Sequence, residues 1–291
     1  MIQYALPGIT DKRMFLNMIF VKLMQSAPDL FFDGITISSF YGNFPACIMN
    51  GGRLCFGRHY SSDQIRETMK KISEAGIITR LTFTNMFIKP EQFDDEYSNI
   101  ILKVAQEHNA EVIVNSDKLG EYITNQYRLK LILSTTRQLN GVEELNKMLD
   151  RYNLVVLNYN HNKDDRYLEK IRKPNKLEVM PNELCEPHCP NRQKHYEHLS
   201  RCQLNNKETV FICPQIREKK GFTNRTESSE TLLSNSDIRR LNSRYGIQHF
   251  KIVGRLESRE TTIESYLYYL VQPQYRSVVY KIIKKKLFDI N

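Results

Sequence analysis

The chain has 291 residues, of which 42 are Lys or Arg and 33 are Asp or Glu, and its mean hydropathy is −0.50. The length permits one large domain, and the lack of any run of about 18 apolar residues argues against a membrane segment. The net charge of +9 fits RNA or an anionic substrate as partner, and it fits a solvated basic surface as well. No secretory cleavage site follows the early apolar stretch, so we expect a cytoplasmic protein.

Eight β-rich runs recur along the chain, and nearly all of them precede a helix-like stretch. The predicted strands cover residues 2–6, 34–42, 78–85, 110–117, 129–136, 154–160, 176–182 and 249–255. The predicted helices cover residues 11–27, 61–76, 94–109, 119–127, 141–153, 164–173, 262–272 and 274–288. Several strands are continuous apolar runs, which is typical of strands buried on both faces. This order predicts a single α/β domain over residues 1–291, a (β/α)8 TIM-type barrel whose residues 256–291 form C-terminal helices.

The alternative fold is an open doubly wound sheet, but the phosphate-binding loop motifs that often accompany it are missing. One segment interrupts the regular order. Residues 183–248 separate the seventh and eighth strands, whereas an ordinary strand-to-helix connection has only a few residues. In a barrel, such an inserted loop projects from the face that carries the chemistry.

Four of the six cysteines fall in this insertion, with the spacing C-x3-C-x12-C-x10-C. They are Cys185, Cys189, Cys202 and Cys213. Gathered thiolates repel one another unless a cation neutralises them, so the pattern predicts a 4Fe–4S cluster or a tetrahedral zinc. Nearby histidines (His188, His195 and His198) keep a mixed Cys/His zinc site open. Cys47, after the second strand, is an alternative to Cys213 as the fourth ligand.

Short motifs in a fixed order carry a family resemblance over residues 1–255. They are "LPGI" after the first strand, "DGITIS", "NSDKLG", "LSTT", "VVLNYN", "LEVMPNELC" and "FKIVGR". In this order the chain resembles the collagenase-like peptidase family U-32, better described as iron–sulfur proteins of oxygen-independent hydroxylation in RNA and ubiquinone pathways. The resemblance implies a 4Fe–4S cluster on the four clustered cysteines, and hydroxylation or modification of RNA or an aromatic cofactor precursor. It also implies a barrel-type heterodimer partner.

The chain departs from the family pattern at the site itself. Where the family has H-G-x-L-C, this sequence has P-N-E-L-C, and its last two cysteines are separated by ten residues instead of closely paired. No Ser/His/Asp order and no H-E-x-x-H motif supports hydrolysis. Two alternatives remain open: a zinc-stabilised barrel that binds RNA or a protein without chemistry, and a peptidase.

Several polar residues are predicted to surround the cysteines at the barrel mouth. The candidates for catalysis are Asn182, Glu183, His195 and Arg255. The candidates for substrate binding are Arg192, Lys251, Arg53, Asn115 and Ser134. A carboxylate can relay a proton, and cationic or amide side chains can hold an anionic substrate group or donate to cluster sulfurs. A capped turn, a rim salt bridge or plain surface exposure would explain the same residues without function.

Overall fold

Eight parallel strands, hydrogen-bonded in chain order, form a closed barrel in which the eighth strand pairs with the first. The computed structural model describes residues 1–183, 185–207, 209–213, 222, 230–254 and 258–288. The strands are β1 (Ile2–Pro7), β2 (Ile35–Gly42), β3 (Ile78–Phe83), β4 (Glu111–Val114), β5 (Lys130–Leu133), β6 (Leu154–Val156), β7 (Leu177–Val179) and β8 (His249–Lys251). The prediction of a (β/α)8 barrel is confirmed, and closure excludes the open sheet.

Helices surround the barrel and alternate with its strands. They are α1 (Asp11–Ser26), α2 (Ser62–Glu74), α3 (Glu96–Glu107), α4 (Asp117–Tyr127), α5 (Val142–Arg151), α6 (Asp165–Leu168), α7 (Arg192–Leu204), α8 (Asn235–Tyr245), α9 (Arg259–Leu270) and α10 (Arg276–Phe288). Local chemistry fixes their ends: Ser61 and Gln64 form a reciprocal capping box at the start of α2. Among the described residues, no helix is long and apolar enough to cross a membrane.

Three helices differ from the sequence-based prediction. Helices α7 and α8 lie between β7 and β8, where the sequence predicts a loop. The predicted helix 164–173 shortens to α6, because the Asn146 side chain binds both the carbonyl of Lys170 and the N–H of Arg172. These two hydrogen bonds satisfy backbone groups that a longer helix would pair internally, so α6 ends before them.

Charged side chains cross the barrel interior. Arg80 of β3 donates to Glu111 of β4 at 2.8 Å and to Glu178 of β7. Strands β3 and β7 are not neighbours in the sheet, so this contact spans the inside of the barrel. Lys251 of β8 lies 3.9 Å from the same Glu178 carboxylate. Mutual pairing allows these charges to be buried in place of apolar side chains.

Candidate functional site

A polar residue follows each of the strands β2 to β7 within three positions of its end. These residues are Asn43, Asn85, Asn115, Ser134, Asn158 and Asn182. Because the carboxyl ends of parallel strands meet at one face, all six lie at the barrel mouth. Several of them bind backbone: Asn182 donates to the carbonyl of Val253 at 2.8 Å and accepts from its N–H at 2.7 Å. Asn182, a predicted catalytic residue, thus joins the ends of β7 and β8.

Helix α7 crosses this mouth. At its start, the Arg192 guanidinium lies 4.3 Å from the ring centroid of Tyr159, which follows β6. Near its end, the carbonyl of Ser200 accepts from the Asn85 side chain at 3.0 Å. Gln203 donates to the carbonyls of Cys47 and Cys55, each at 3.1 Å, and accepts from the N–H of Cys55 at 2.9 Å.

These contacts show that α7 reaches from the loop after β6 to the loops after β2 and β3. The helix is therefore a cover over part of the barrel mouth, and its inner face carries polar side chains. The sequence analysis missed this helix because its buried residues include Arg192, Ser200 and Gln203, which leave little apolar periodicity to detect.

A buried ion pair stands under the start of α7. Arg192 donates from Nη2 to Oε2 of Glu183 at 2.9 Å, and both side chains are at most 4 % exposed. Burial lowers the pKa of Arg192, but the Glu183 carboxylate, with Tyr196 and Cys185, outweighs it and raises that pKa above its usual value. The second guanidinium nitrogen, Nη1, is buried and has no hydrogen-bond partner within the described part of the chain.

Tyr159 is the point around which Cys185 and Cys189 are arranged. Its hydroxyl donates to the carbonyl of Glu186 at 2.7 Å, and the same carbonyl accepts from the backbone N–H of Cys189 at 3.2 Å. Cys185 packs on the apolar layer that contains Tyr159, and its N–H donates to Oε1 of Glu183 at 3.3 Å. The first two predicted ligands thus share one turn beside the buried ion pair.

Cys202 occupies different surroundings. It is buried on α7, with its Sγ 3.1 Å from Oγ1 of Thr209 and 3.4 Å from Nε2 of His198. It lies ten residues beyond Arg192 on the same helix, a rise of about 15 Å. Cys213 is partly buried at the end of the described 209–213 segment.

The donor set has the right chemistry for iron–sulfur or zinc, since thiolates hold 4Fe–4S clusters, and thiolates together with imidazole hold zinc. Nitrogen and sulfur ligands of a tetrahedral zinc lie about 3.5 Å apart, close to the spacing between His198 and Cys202. Among the described residues, no group of three or more Cys, His, Asp or Glu is close enough to hold a metal ion. A shared site for all four cysteines stays a prediction.

The two remaining cysteines lie on the loop after β2. Cys47, the alternative fourth ligand, is fully buried in the hydrophobic core with its Sγ 3.5 Å from Oγ of Ser98. Burial raises the pKa of this thiol to about 11, which disfavours the thiolate that a metal requires. Cys55 is partly buried and faces a cavity.

The other predicted residues are spread around the mouth. The Nζ atom of Lys251 lies 4.1 Å from the ring centroid of Tyr41. Asn115 donates to Oγ1 of Thr136 at 2.8 Å, and that hydroxyl donates to Oγ of Ser134 at 2.9 Å. The structure therefore brings Asn115 and Ser134 together.

The remaining two candidates for catalysis are His195 and Arg255. The ring of His195, on α7, stacks on the ring of Phe211 at 4.7 Å between centroids. Arg255 lies outside the described residues.

A cavity of about 580 Å³ opens at the ends of β1 and β2. Its lining residues are Gly8, Ile9, Thr10, Arg13, Gly42, Asn43, Asn50, Arg53 and Cys55. Of these, the sequence analysis identified only Arg53 as a candidate for the site. Arg13 was missed, although a cation in the first turn after a barrel strand is a signal that could have found it.

Comparisons with known proteins bear on the fold. No protein-family model matches the chain, and no curated protein sequence matches it. A solved U32 peptidase, Mk0906, matches 88 % of this chain and 94 % of its own, with a TM-score of 0.58 and 11 % identity. The spore cortex-lytic enzyme SleL of Bacillus megaterium QM B1551 covers 90 % of this chain and 71 % of its own at 11 % identity, with a TM-score of only 0.38. The resemblance predicted from the motifs is thus confirmed in the architecture: the chain has the barrel fold of a U32 peptidase.

Proposed function

We propose that this protein is an iron–sulfur barrel of the U32 type that supports oxygen-independent hydroxylation or modification of RNA or of an aromatic cofactor precursor. The observation that carries the proposal is the turn that holds Cys185 and Cys189, whose Glu186 carbonyl accepts from Tyr159 and from Cys189, next to the buried pair Arg192–Glu183. Cys202 and Cys213, in the same connection, complete a four-thiolate set.

A bound 4Fe–4S cluster would supply one-electron transfer. Oxygen-independent hydroxylation replaces a C–H bond by C–OH, and water can be the oxygen source. The balance then releases two protons and two electrons, which pass to an external acceptor such as a flavin or an iron–sulfur protein. Glu183 is the acid–base candidate at the mouth; its carboxylate accepts from Arg192 and from the N–H of Cys185, which fix its position and favour its charged form.

Arg192 and α7 have supporting roles in this proposal. Nη1 of Arg192, which has no hydrogen-bond partner among the described residues, offers a charge-assisted hydrogen bond to a thiolate sulfur or to an anionic substrate group. Helix α7 limits water at the mouth and orients both ends of the connection. Since Cys202 lies about three helical turns from Arg192, binding by all four thiolates requires the connection to close further.

The test is anaerobic reconstitution with ferrous iron and sulfide, followed by iron and sulfide quantitation and absorption near 400 nm. We expect about four irons and four sulfides per chain. Hydrogen exchange across residues 192–207 should become slower when the cluster is bound. Cys185→Ser and Cys189→Ser should lose the absorption, whereas the control Cys55→Ser should keep it. Full loading of Cys185→Ser, or no loading of the parent protein, contradicts the proposal.

RNA is the favoured substrate class because the net charge is +9. Incubating reconstituted protein with RNA and an electron acceptor in ¹⁸O-labelled water should add labelled oxygen to a nucleoside, detected by mass spectrometry. An aromatic acid serves as the second substrate in a parallel reaction.

A second candidate function is a zinc-stabilised barrel that binds RNA or a protein without chemistry. The contact between His198 Nε2 and Cys202 Sγ at 3.4 Å favours it. Replacement of zinc by cobalt would then give visible bands that disappear in His198→Asn, and the protein would hold one metal ion and no sulfide. A casein digestion assay on the same preparation tests the peptidase alternative.

A further inference from the structure

The cavity at the ends of β1 and β2 combines two arginines with a lining in which the structure describes no acidic side chain. Its volume of about 580 Å³ lies within the range of small-molecule sites. We propose that this cavity binds an anionic group of the substrate, a nucleotide phosphate or the carboxylate of an aromatic acid, with Arg13 and Arg53 as its cationic contacts. The inference extends the proposed function to the substrate's anionic group, and it concerns binding alone.

Gly8 makes room for Arg13, and the guanidinium reaches towards Gly254. A Cβ at Gly8 would lie 2.5 Å from Cβ of Arg13, and the backbone at Gly8 has a φ of +103°, which glycine adopts readily. A Cβ at Gly254 would lie 3.8 Å from Nη1 of Arg13. The side chain therefore runs from the end of β1 towards the end of β8 over backbone that carries no side chain.

Arg13 has no carboxylate within salt-bridge distance among the side chains that the structure describes. A guanidinium that is partly buried at a cavity wall without an anion retains its capacity for bidentate binding of phosphate or carboxylate. This distinguishes Arg13 from Arg66 and Arg240, which pair with Glu107 and Asp165.

Arg53 stands on a loop that buried asparagines hold in place. Asn50 donates to the carbonyl of Arg53 and accepts from Oγ1 of Thr82 at 2.9 Å. Asn43 donates to the carbonyl of Thr82 at 2.8 Å. Since these amides are engaged with the protein, they shape the cavity, and the two guanidiniums supply its charge. The Arg53 guanidinium lies 5.6 Å from the ring centroid of Tyr41.

Helix α1 adds to the same potential. Residues 8–10 line the cavity and lead directly into this helix of 16 residues, and the Thr10 side chain does not cap it. The first backbone N–H groups of a helix carry partial positive charge, which favours an anion nearby. The helix end supports the two arginines and would not make a site alone.

Calorimetric titration of the full chain, prepared without metal, tests the proposal. The probes are two matched pairs: uridine 5′-monophosphate with uridine, and benzoate with benzyl alcohol. We expect at least one anionic member to bind and its neutral partner to bind at least tenfold more weakly. Binding of the nucleotide alone indicates a phosphate site, binding of benzoate alone indicates a carboxylate site, and binding of both indicates a site for either group.

Variants locate the binding. Arg13→Gln and Arg53→Gln should each weaken the anionic probe about tenfold or more. Arg58→Gln is the matched control, because Arg58 is exposed on the same loop and does not line the cavity. Arg13→Lys and Arg53→Lys, which keep the charge, serve if a glutamine variant fails to fold.

Equal binding of anionic and neutral probes by the parent protein overturns the inference, as does unchanged affinity in both cavity variants. Because the measurement uses metal-free protein, a failure of iron–sulfur reconstitution leaves its result unaffected.

Discussion

The buried pair of Glu183 and Arg192 gives a prediction with a defined magnitude. Glu183→Gln keeps the shape of the side chain and removes the charge that faces Arg192. Arg192 then remains at 4 % exposure between the rings of Tyr159 and Tyr196, without its counter-ion. Removal of one partner of a buried ion pair costs about 3 to 5 kcal/mol, because the remaining charge stays desolvated.

That free-energy cost corresponds to a decrease in the melting temperature, Tm. At about 2.1 cal/mol/K per residue, the unfolding entropy of 291 residues is about 0.6 kcal/mol/K. The expected decrease in Tm for Glu183→Gln is therefore about 5 to 8 °C, measured by circular dichroism on metal-free protein. The double variant Glu183→Gln with Arg192→Met should recover part of the loss, since no uncompensated charge remains.

Glu107→Gln is the control, because it breaks the exposed pair with Arg66 and should leave Tm nearly unchanged. If Glu183→Gln melts at the same temperature as this control, the pair is not desolvated and the reasoning is refuted. A double variant less stable than Glu183→Gln alone would also count against it.

Three further predictions concern other buried groups. Because burial raises the pKa of Cys47 to about 11, a thiol reagent at pH 8 should label Cys185 well before Cys47, and equal labelling would contradict the core position of Cys47. Burial lowers the pKa of His249, so the unfolded chain binds a proton at this imidazole at a higher pH than the folded chain does. The stability of the fold should therefore fall as the pH drops below about 6.5. Thermal unfolding between pH 7 and 5 should show a smaller fall for His249→Gln than for the parent protein. Gln203→Ala should speed hydrogen exchange at the amides of residues 53–56, whereas Gln193→Ala, on the exposed face of α7, should not.

Much of the barrel could be predicted because its signal is local and apolar. Strand β4 is "EVIV" between helix-like stretches, and a run of this kind has few alternatives to burial within a parallel sheet. The predicted helix over residues 61–76 begins at Ser61, the residue that caps α2 in the structure. These features depend on neighbours within a few residues, which a sequence displays directly.

The site itself depends on contacts that sequence spacing does not show. The pairing of Gln203 with Cys55 joins residues 148 positions apart, and that of Asn182 with Val253 joins residues 71 positions apart. Arg13 packs over Gly8, and its guanidinium reaches towards Gly254, which lies 241 positions further along the chain than Arg13. A linear pattern identifies such residue types but not which of them meet.

The helix over the mouth explains why the functional part was the hardest to predict. A helix that packs on other helices needs an apolar stripe, but α7 packs on loop backbone, whose N–H and carbonyl groups must be satisfied. Amide and hydroxyl side chains form hydrogen bonds with these backbone groups, so Ser200 and Gln203 occupy positions of α7 that would otherwise carry apolar residues. Polar burial of this kind holds a segment in place without a large apolar interface, and such a segment can move when a ligand supplies competing contacts. The connection that carries the cysteines is therefore the part of the barrel whose position should respond most to metal binding.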